Sequence, residues 1–83
     1  MTRDEIRGGI LRALAQIAPE ADISRIKPHL RLRDQLDIDS MDLLNFVIAV
    51  HKEFNIDIPE ADYPKLTTID GFVDYIGKAQ ARN

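Results

Sequence analysis

The residues with the most chemistry in them are Asp37, Asp39, Ser40 and Asp42, which stand where a polar stretch gives way to an apolar one. Taken alone, Asp39-Ser40 ahead of Met41-Asp42-Leu43-Leu44 reads as a helix N-cap, because Asp and Ser side chains accept hydrogen bonds from the unpaired amides of a first turn. Asp37-x-Asp39 begins like a calcium loop, which sets oxygen ligands at fixed intervals around a hard cation. The pattern then fails: Met41 takes the third ligand position, Asp42 the turn glycine and Ile48 the closing glutamate. His29 and His51 lie 22 residues apart in a chain with no cysteine, and read as two surface histidines. The sequence has no nucleophile elbow and no glycine loop for cradling phosphate, so no catalytic pair stands out.

The composition narrows the field. A chain of 83 residues makes one domain with a thin core, too small for a large enclosed active site. With no cysteine there are no disulfides, thiolate metal sites or cysteine nucleophiles, and any thiol chemistry must come from an attached group. A disulfide-free small domain whose Met1-Thr2-Arg3-Asp4-Glu5 start leads into no apolar run is expected in the cytoplasm. The longest apolar run, Phe46-Val47-Ile48-Ala49-Val50, is far too short for membrane insertion. Charge is unevenly spread: residues 34–62 hold eight acidic side chains and one basic, while the chain as a whole is at −3. An acidic middle repels nucleic acid and attracts a basic protein surface, or is simply solvated.

Which elements position these residues follows from apolar spacing. Ile6, Ile10, Leu14 and Ile17 form one stripe of a helix over about residues 3–17, with Thr2 as N-cap and Pro19 as its stop. Gly8-Gly9 weakens it by about 1 kcal/mol per glycine relative to alanine. A long connection over residues 18–39 has a short helical turn expected near 21–26, and its Ile23, Ile26, Leu30, Leu32 and Leu36 suggest that it packs over the helices. A second main helix runs from Asp39-Ser40 to about Phe54, closed by Asn55. It carries two stripes, Leu43-Val47-Val50-Phe54 and Met41-Leu44-Ile48. Such a helix is either buried centrally or offers apolar side chains to a partner. A turn over 60–63 is cut off by Pro64. A last helix follows Thr67-Thr68, with Asp70 placed for capping contacts and an end near Gly77. The fold class is therefore all-α: a small bundle of three to four helices with a long loop between the first two main ones. The basic residues Arg25, Lys27, Arg31 and Arg33 lie in that loop, either solvated or bracing the acidic helix, and are too sparse for nucleic-acid binding.

Several features in order, Asp39-Ser40-Met41, Glu53-Phe54, Ile58-Pro59, Lys65-Leu66-Thr67-Thr68-Ile69 and Asp74-Tyr75-Ile76, give the chain from Leu32 to Ala81 a resemblance to the acyl carrier protein family, over about 50 of its 83 residues. The resemblance implies one acyl carrier domain over residues 1–83, with Ser40 esterified by 4′-phosphopantetheine from coenzyme A. A separate Mg²⁺-dependent phosphopantetheinyl transferase would do this, helped by Asp39. It implies a non-catalytic, monomeric carrier that presents thioesters to acyl-loading and acyl-transfer enzymes of fatty acid, lipid or secondary-metabolite biosynthesis. By position, Met41, Leu44 and Ile48 match partner-facing apolar residues, and Asp42 and Glu53 match acidic ones. Val50, Ile58, Leu66 and Ile76 would surround a sheltered acyl chain.

The departures from the family pattern are specific. Asp37 stands where the family commonly has glycine, and Asn45, His51 and Lys52 stand where fatty-acid carriers have glutamates. A helix so depleted of acid fits a specialised carrier with its own enzymes. Tyr63 and Phe72 replace alanines around the acyl cavity, so that cavity should be small or closed. Two alternatives stay open: an aminoacyl carrier of the D-alanyl type, and a cofactor-free helical interaction module. A helix-turn-helix DNA binder would need a basic recognition helix, which is lacking.

Overall fold

The computed structural model describes residues 1–81; the last two residues of the expected 1–83 domain lie outside the described residues. Four α-helices, α1 (Arg3–Ile17), α2 (Leu32–Gln35), α3 (Ser40–Phe54) and α4 (Ile69–Ala81), are accompanied by 3-10 segments at Ile23–Arg25, between α1 and α2, and at Glu60–Lys65, between α3 and α4. The described residues contain no strand. None of these helices is long and apolar enough to cross a membrane.

Helix α1 forms as its spacing predicts. Thr2 and Glu5 make a reciprocal capping box, the Glu5 amide donating to Thr2 Oγ1 at 3.2 Å and the Thr2 amide to Glu5 Oε1 at 2.9 Å. That amide, with the Thr2 hydroxyl, holds the Glu5 carboxyl below its ordinary value of 4.5. A depressed carboxyl stabilises the fold above its unfolded pKa and loses that contribution as pH falls through the lower folded value. Acidifying below about pH 4.5 should therefore fray the first turn of α1, read as earlier exchange of the Glu5 amide; a Glu5→Gln variant should remove this pH dependence.

Ile6, Ile10 and Leu14 of α1 face Phe46, Val47 and Val50 of α3 and Ile69, Phe72, Val73 and Ile76 of α4 in one buried cluster. The Phe46 and Phe72 rings meet at 4.6 Å between centroids, tilted by 49°, a geometry worth about 0.5–1.5 kcal/mol beyond burial. Phe46 is thus central to the core, although spacing alone favoured Leu43 and Phe54, which are only partly buried. Phe46 lies about 100° from Val47 around the helix, and the buried face is centred between them.

Gly9 is buried for a reason that spacing did not show. A Cβ there would lie 2.5 Å from Cζ of Phe54, whose ring tip rests on the α1 backbone. A Cβ at Gly8 would meet nothing nearer than an Arg12 nitrogen at 3.6 Å. The two glycines therefore differ in kind: one admits α3 to close contact and the other does not.

The long connection packs down as expected, with Leu32 buried and Ile23, Ile26 and Leu36 partly buried, but Leu30 remains 41% exposed. Its turn falls at Ile23–Arg25, where Asp22 caps Ser24 N at 3.1 Å. Its second helix, α2, was not expected: Arg31 provides no side-chain cap, and four residues are too few for periodicity to show. Long-range hydrogen bonds hold the segment instead. Leu32 N donates to Thr67 O and Asp70 N to Pro28 O, each at 2.9 Å. The Gln35 amide accepts from Lys27 N at 2.7 Å and donates to the carbonyls of Lys27 and Leu30 at 2.9 and 3.0 Å. Gln35→Leu should lower stability by about 1.5–2 kcal/mol, since its three bonds are solvent-exposed and each contributes near the lower end of about 0.5–1.5, and should broaden the NMR signals of residues 27–31.

Two ends differ from expectation. Helix α4 continues past Gly77 to Ala81, because no glycine adopts the left-handed conformation that would end it, and Ala79 still packs on the core. Its start is capped by Thr68, whose Oγ1 accepts from Gly71 N at 2.9 Å, leaving Asp70 to face Arg7 at 3.9 Å. The 3-10 segment runs through Pro64 to Lys65, with Leu66 N closing it onto Tyr63 O.

Candidate functional site

The structure separates the two roles that Asp39 and Ser40 share in the sequence. Asp39 is the N-cap of α3: its Oδ1 accepts from Asp42 N at 2.9 Å, and Asp42 Oδ2 accepts from Asp39 N at 3.2 Å. Ser40 is the first helical residue, is exposed, and its hydroxyl has no hydrogen-bond partner among the described residues. The cap satisfies the amides of residues 39 and 42, and Leu43 N bonds Asp39 O at 3.0 Å. The amides of Ser40 and Met41 are left at the positive end of the helix dipole. An exposed hydroxyl beside two unpaired amides fits a phosphodiester attached through Oγ, because the amides can donate to its oxygens.

The apolar stripe is where the sequence placed it. Met41 is 63% exposed, Leu44 37% and Ile48 41%, a continuous row on the face of α3 opposite the core. The two acidic residues matched to partner binding are less available. Asp42 is engaged in the capping box. Glu53 is held by Arg12 of α1, which reaches Oε1 with Nη2 at 2.9 Å and Nε at 3.2 Å.

Of the four residues expected around an acyl chain, Val50, Leu66 and Ile76 are fully packed core, and Phe72 closes the same region against Phe46. Ile58 alone lines an open groove, of about 380 Å³, with Val47, Ile48, His51 and Tyr63. A larger cleft of about 760 Å³ opens one turn past Ser40, lined by Leu43, Tyr63, Arg31 and Arg33 among others.

His51 has a structural task that sequence reading missed. Its Nδ1 lies 2.7 Å from Ile56 O and 3.7 Å from Asp57 Oδ1, so the ring joins the end of α3 to the following link. The signal was present as a histidine in the last helical turn before a left-handed cap. Asn55 provides that cap, at φ 54° and ψ 44°, the one positive-φ residue among those described.

Residues 9–76 match the family described as phosphopantetheine attachment site. An acyl carrier protein of Micrococcus luteus is 35% identical over 75 residues, covering 87% of this chain and 93% of its own. One of Rubrobacter xylanophilus is 30% identical over 83 residues, covering 96% and 98%. Among solved structures, that of the acyl carrier protein from Enterococcus faecalis, a protein described for its high thermal stability, superposes with a TM-score of 0.72. It is 27% identical and covers 95% of this chain and 99% of its own.

Proposed function

Because the chain belongs to the acyl carrier protein family, we propose that Ser40 is the residue to which its covalently attached 4′-phosphopantetheine is joined. The observation that carries this is the free, exposed Ser40 hydroxyl at the first position of a helix whose cap is made by its neighbour. When attached, the arm supplies a terminal thiol that holds acyl groups as thioesters, which a chain without cysteine cannot supply itself. The residues of this chain do the rest. The Ser40 hydroxyl is the acceptor, the amides of Ser40 and Met41 would donate to the phosphodiester oxygens, and Asp39 fixes the helix start and would help a transferase engage.

The single domain over residues 1–83 is a non-catalytic carrier, presenting cargo to loading and transfer enzymes of fatty acid, lipid or secondary-metabolite biosynthesis. Its packed core favours a short acyl or aminoacyl cargo that stays at the surface, since Val50, Leu66 and Ile76 leave no opening among them. The decisive test is intact mass after incubation with coenzyme A, Mg²⁺ and a broad-specificity phosphopantetheinyl transferase. A gain of one phosphopantetheinyl group is expected, and no gain with several transferases would sink the proposal. Cargo placement is tested separately by NMR on the octanoyl-loaded form. Shifts should be confined to the groove at Ile58 and the cleft at Leu43 and Tyr63; large shifts at Val50 and Ile76 would show an inserted chain.

A further inference from the structure

The solvent face of α3 changes character along its length. Met41, Leu44 and Ile48 step along it, and one turn past Ile48 the row ends on Lys52. Lys52 is exposed and has no ion-pair or hydrogen-bond partner among the described residues. The carboxylate beside it, Glu53, is neutralised by Arg12, whose own side chain is 68% exposed. At the other end the balance is acidic: over residues 31–42 Asp34, Asp37, Asp39 and Asp42 outnumber Arg31 and Arg33, and α3 holds no lysine or arginine before Lys52. From Ser40 to Lys52 the helix rises about 18 Å. Next to Lys52, a shallow groove of about 360 Å³ between α1 and α3 is lined by Ile17, Asn45, Ile48 and Ala49 among others, and extends the apolar row sideways.

We propose that this face is a docking strip of two signs, and that the partner it fits is an enzyme with cations at its active-site mouth, an apolar contact for Ile48 and the α1–α3 groove, and a carboxylate about 18 Å from the mouth that meets Lys52. The proposal deepens the carrier reading, on which it rests, by naming the chemistry of the partner. A docking surface that is basic throughout matches the acidic Ser40 end and is repelled by Lys52, whose neighbouring carboxylate Glu53 is already taken up by Arg12. Exposed charge pairs are individually weak, but opposed like charges across an interface reject wrong partners and slow their encounter.

The test is a charge-swap cycle. The apo protein is titrated by NMR, at low salt, with an acyltransferase whose docking patch is uniformly basic, and dissociation constants are compared. Because the apo form is used, the strip is tested whether or not Ser40 accepts an arm, and the mass experiment judges that separately. Lys52→Glu should tighten binding about fivefold, whereas Lys78→Glu on α4 should change it by less than about 1.5-fold. Changing to glutamate the enzyme residue that cross-links to position 52 should invert the order, strengthening the wild type and weakening the Lys52→Glu variant. Amide spectra of each variant confirm that the fold is retained. Equal binding by wild type and the Lys52→Glu variant, or an equal gain for Lys78→Glu, overturns the docking strip.

Discussion

A Ser40→Ala variant should gain no mass from coenzyme A and any transferase, while its melting temperature stays within about 4 °C of the wild type. The pairing of total chemical loss with thermal silence follows from the helix start. Ser40 is exposed and makes no side-chain hydrogen bond there, so alanine removes the acceptor and nothing else. Asp39→Ala should behave in the opposite way. It deletes the N-cap and one half of the capping box, costing about 0.5–2 kcal/mol, and lowers the melting temperature accordingly. Asp39→Asn separates the two tasks of that residue, since the amide oxygen can still accept from Asp42 N. It should melt near the wild type and be modified more slowly. A serine variant that unfolds early would show instead that Ser40 is a cap, as the bare dipeptide suggests.

The second large effect lies at the α1–α3 contact. Gly9→Ala is expected to destabilise by about 1–2 kcal/mol, because the strain of displacing the Phe54 ring exceeds the roughly 1 kcal/mol that alanine gains in a helix. Gly8→Ala, one residue away and chemically identical, should stabilise by about 0.5–1 kcal/mol. For a domain of this size that is a fall of about 4–16 °C against a rise of about 2–8 °C. Shortening the ring should restore Gly9→Ala in part: the double variant with Phe54→Leu should be more stable than the sum of the single changes allows. Two glycine variants that shift together, in either direction, would remove the close contact from the account.

What could be read beforehand follows the range of the interactions. The long helices α1 and α3 were legible because both carry apolar stripes over many turns and local caps, Thr2 with Glu5 and Asp39 ahead of Asn55. The start of α3 at Ser40 was legible for the same reason, but the exposure of Met41, Leu44 and Ile48 was not: their spacing left central burial open, and only the family resemblance favoured an outward face. Features held by distant partners were not. Helix α2 rests on hydrogen bonds to Thr67 and through Gln35, with no periodic pattern of its own. Glu53 looks free in sequence, but its partner Arg12 lies 41 residues earlier, brought near only when α1 packs on α3. Gly9 reads as a defect until Phe54 is seen against it. The core role of Phe46 depends on Phe72, an aromatic contact between two helices that no spacing within one helix reveals.

The assignment of the cap to Asp39 has a consequence for how such a carrier is regulated. If the arm is borne by Ser40, its arrival and departure leave every hydrogen bond of the helix start in place. The helix start is then held in the same way before modification, after it, and through each change of cargo. A cap that does not change cannot report the state of the arm. Enzymes that must tell a bare carrier from a loaded one have to read the arm, its cargo, or the groove and cleft that the cargo touches, while the helix start signals only which carrier this is.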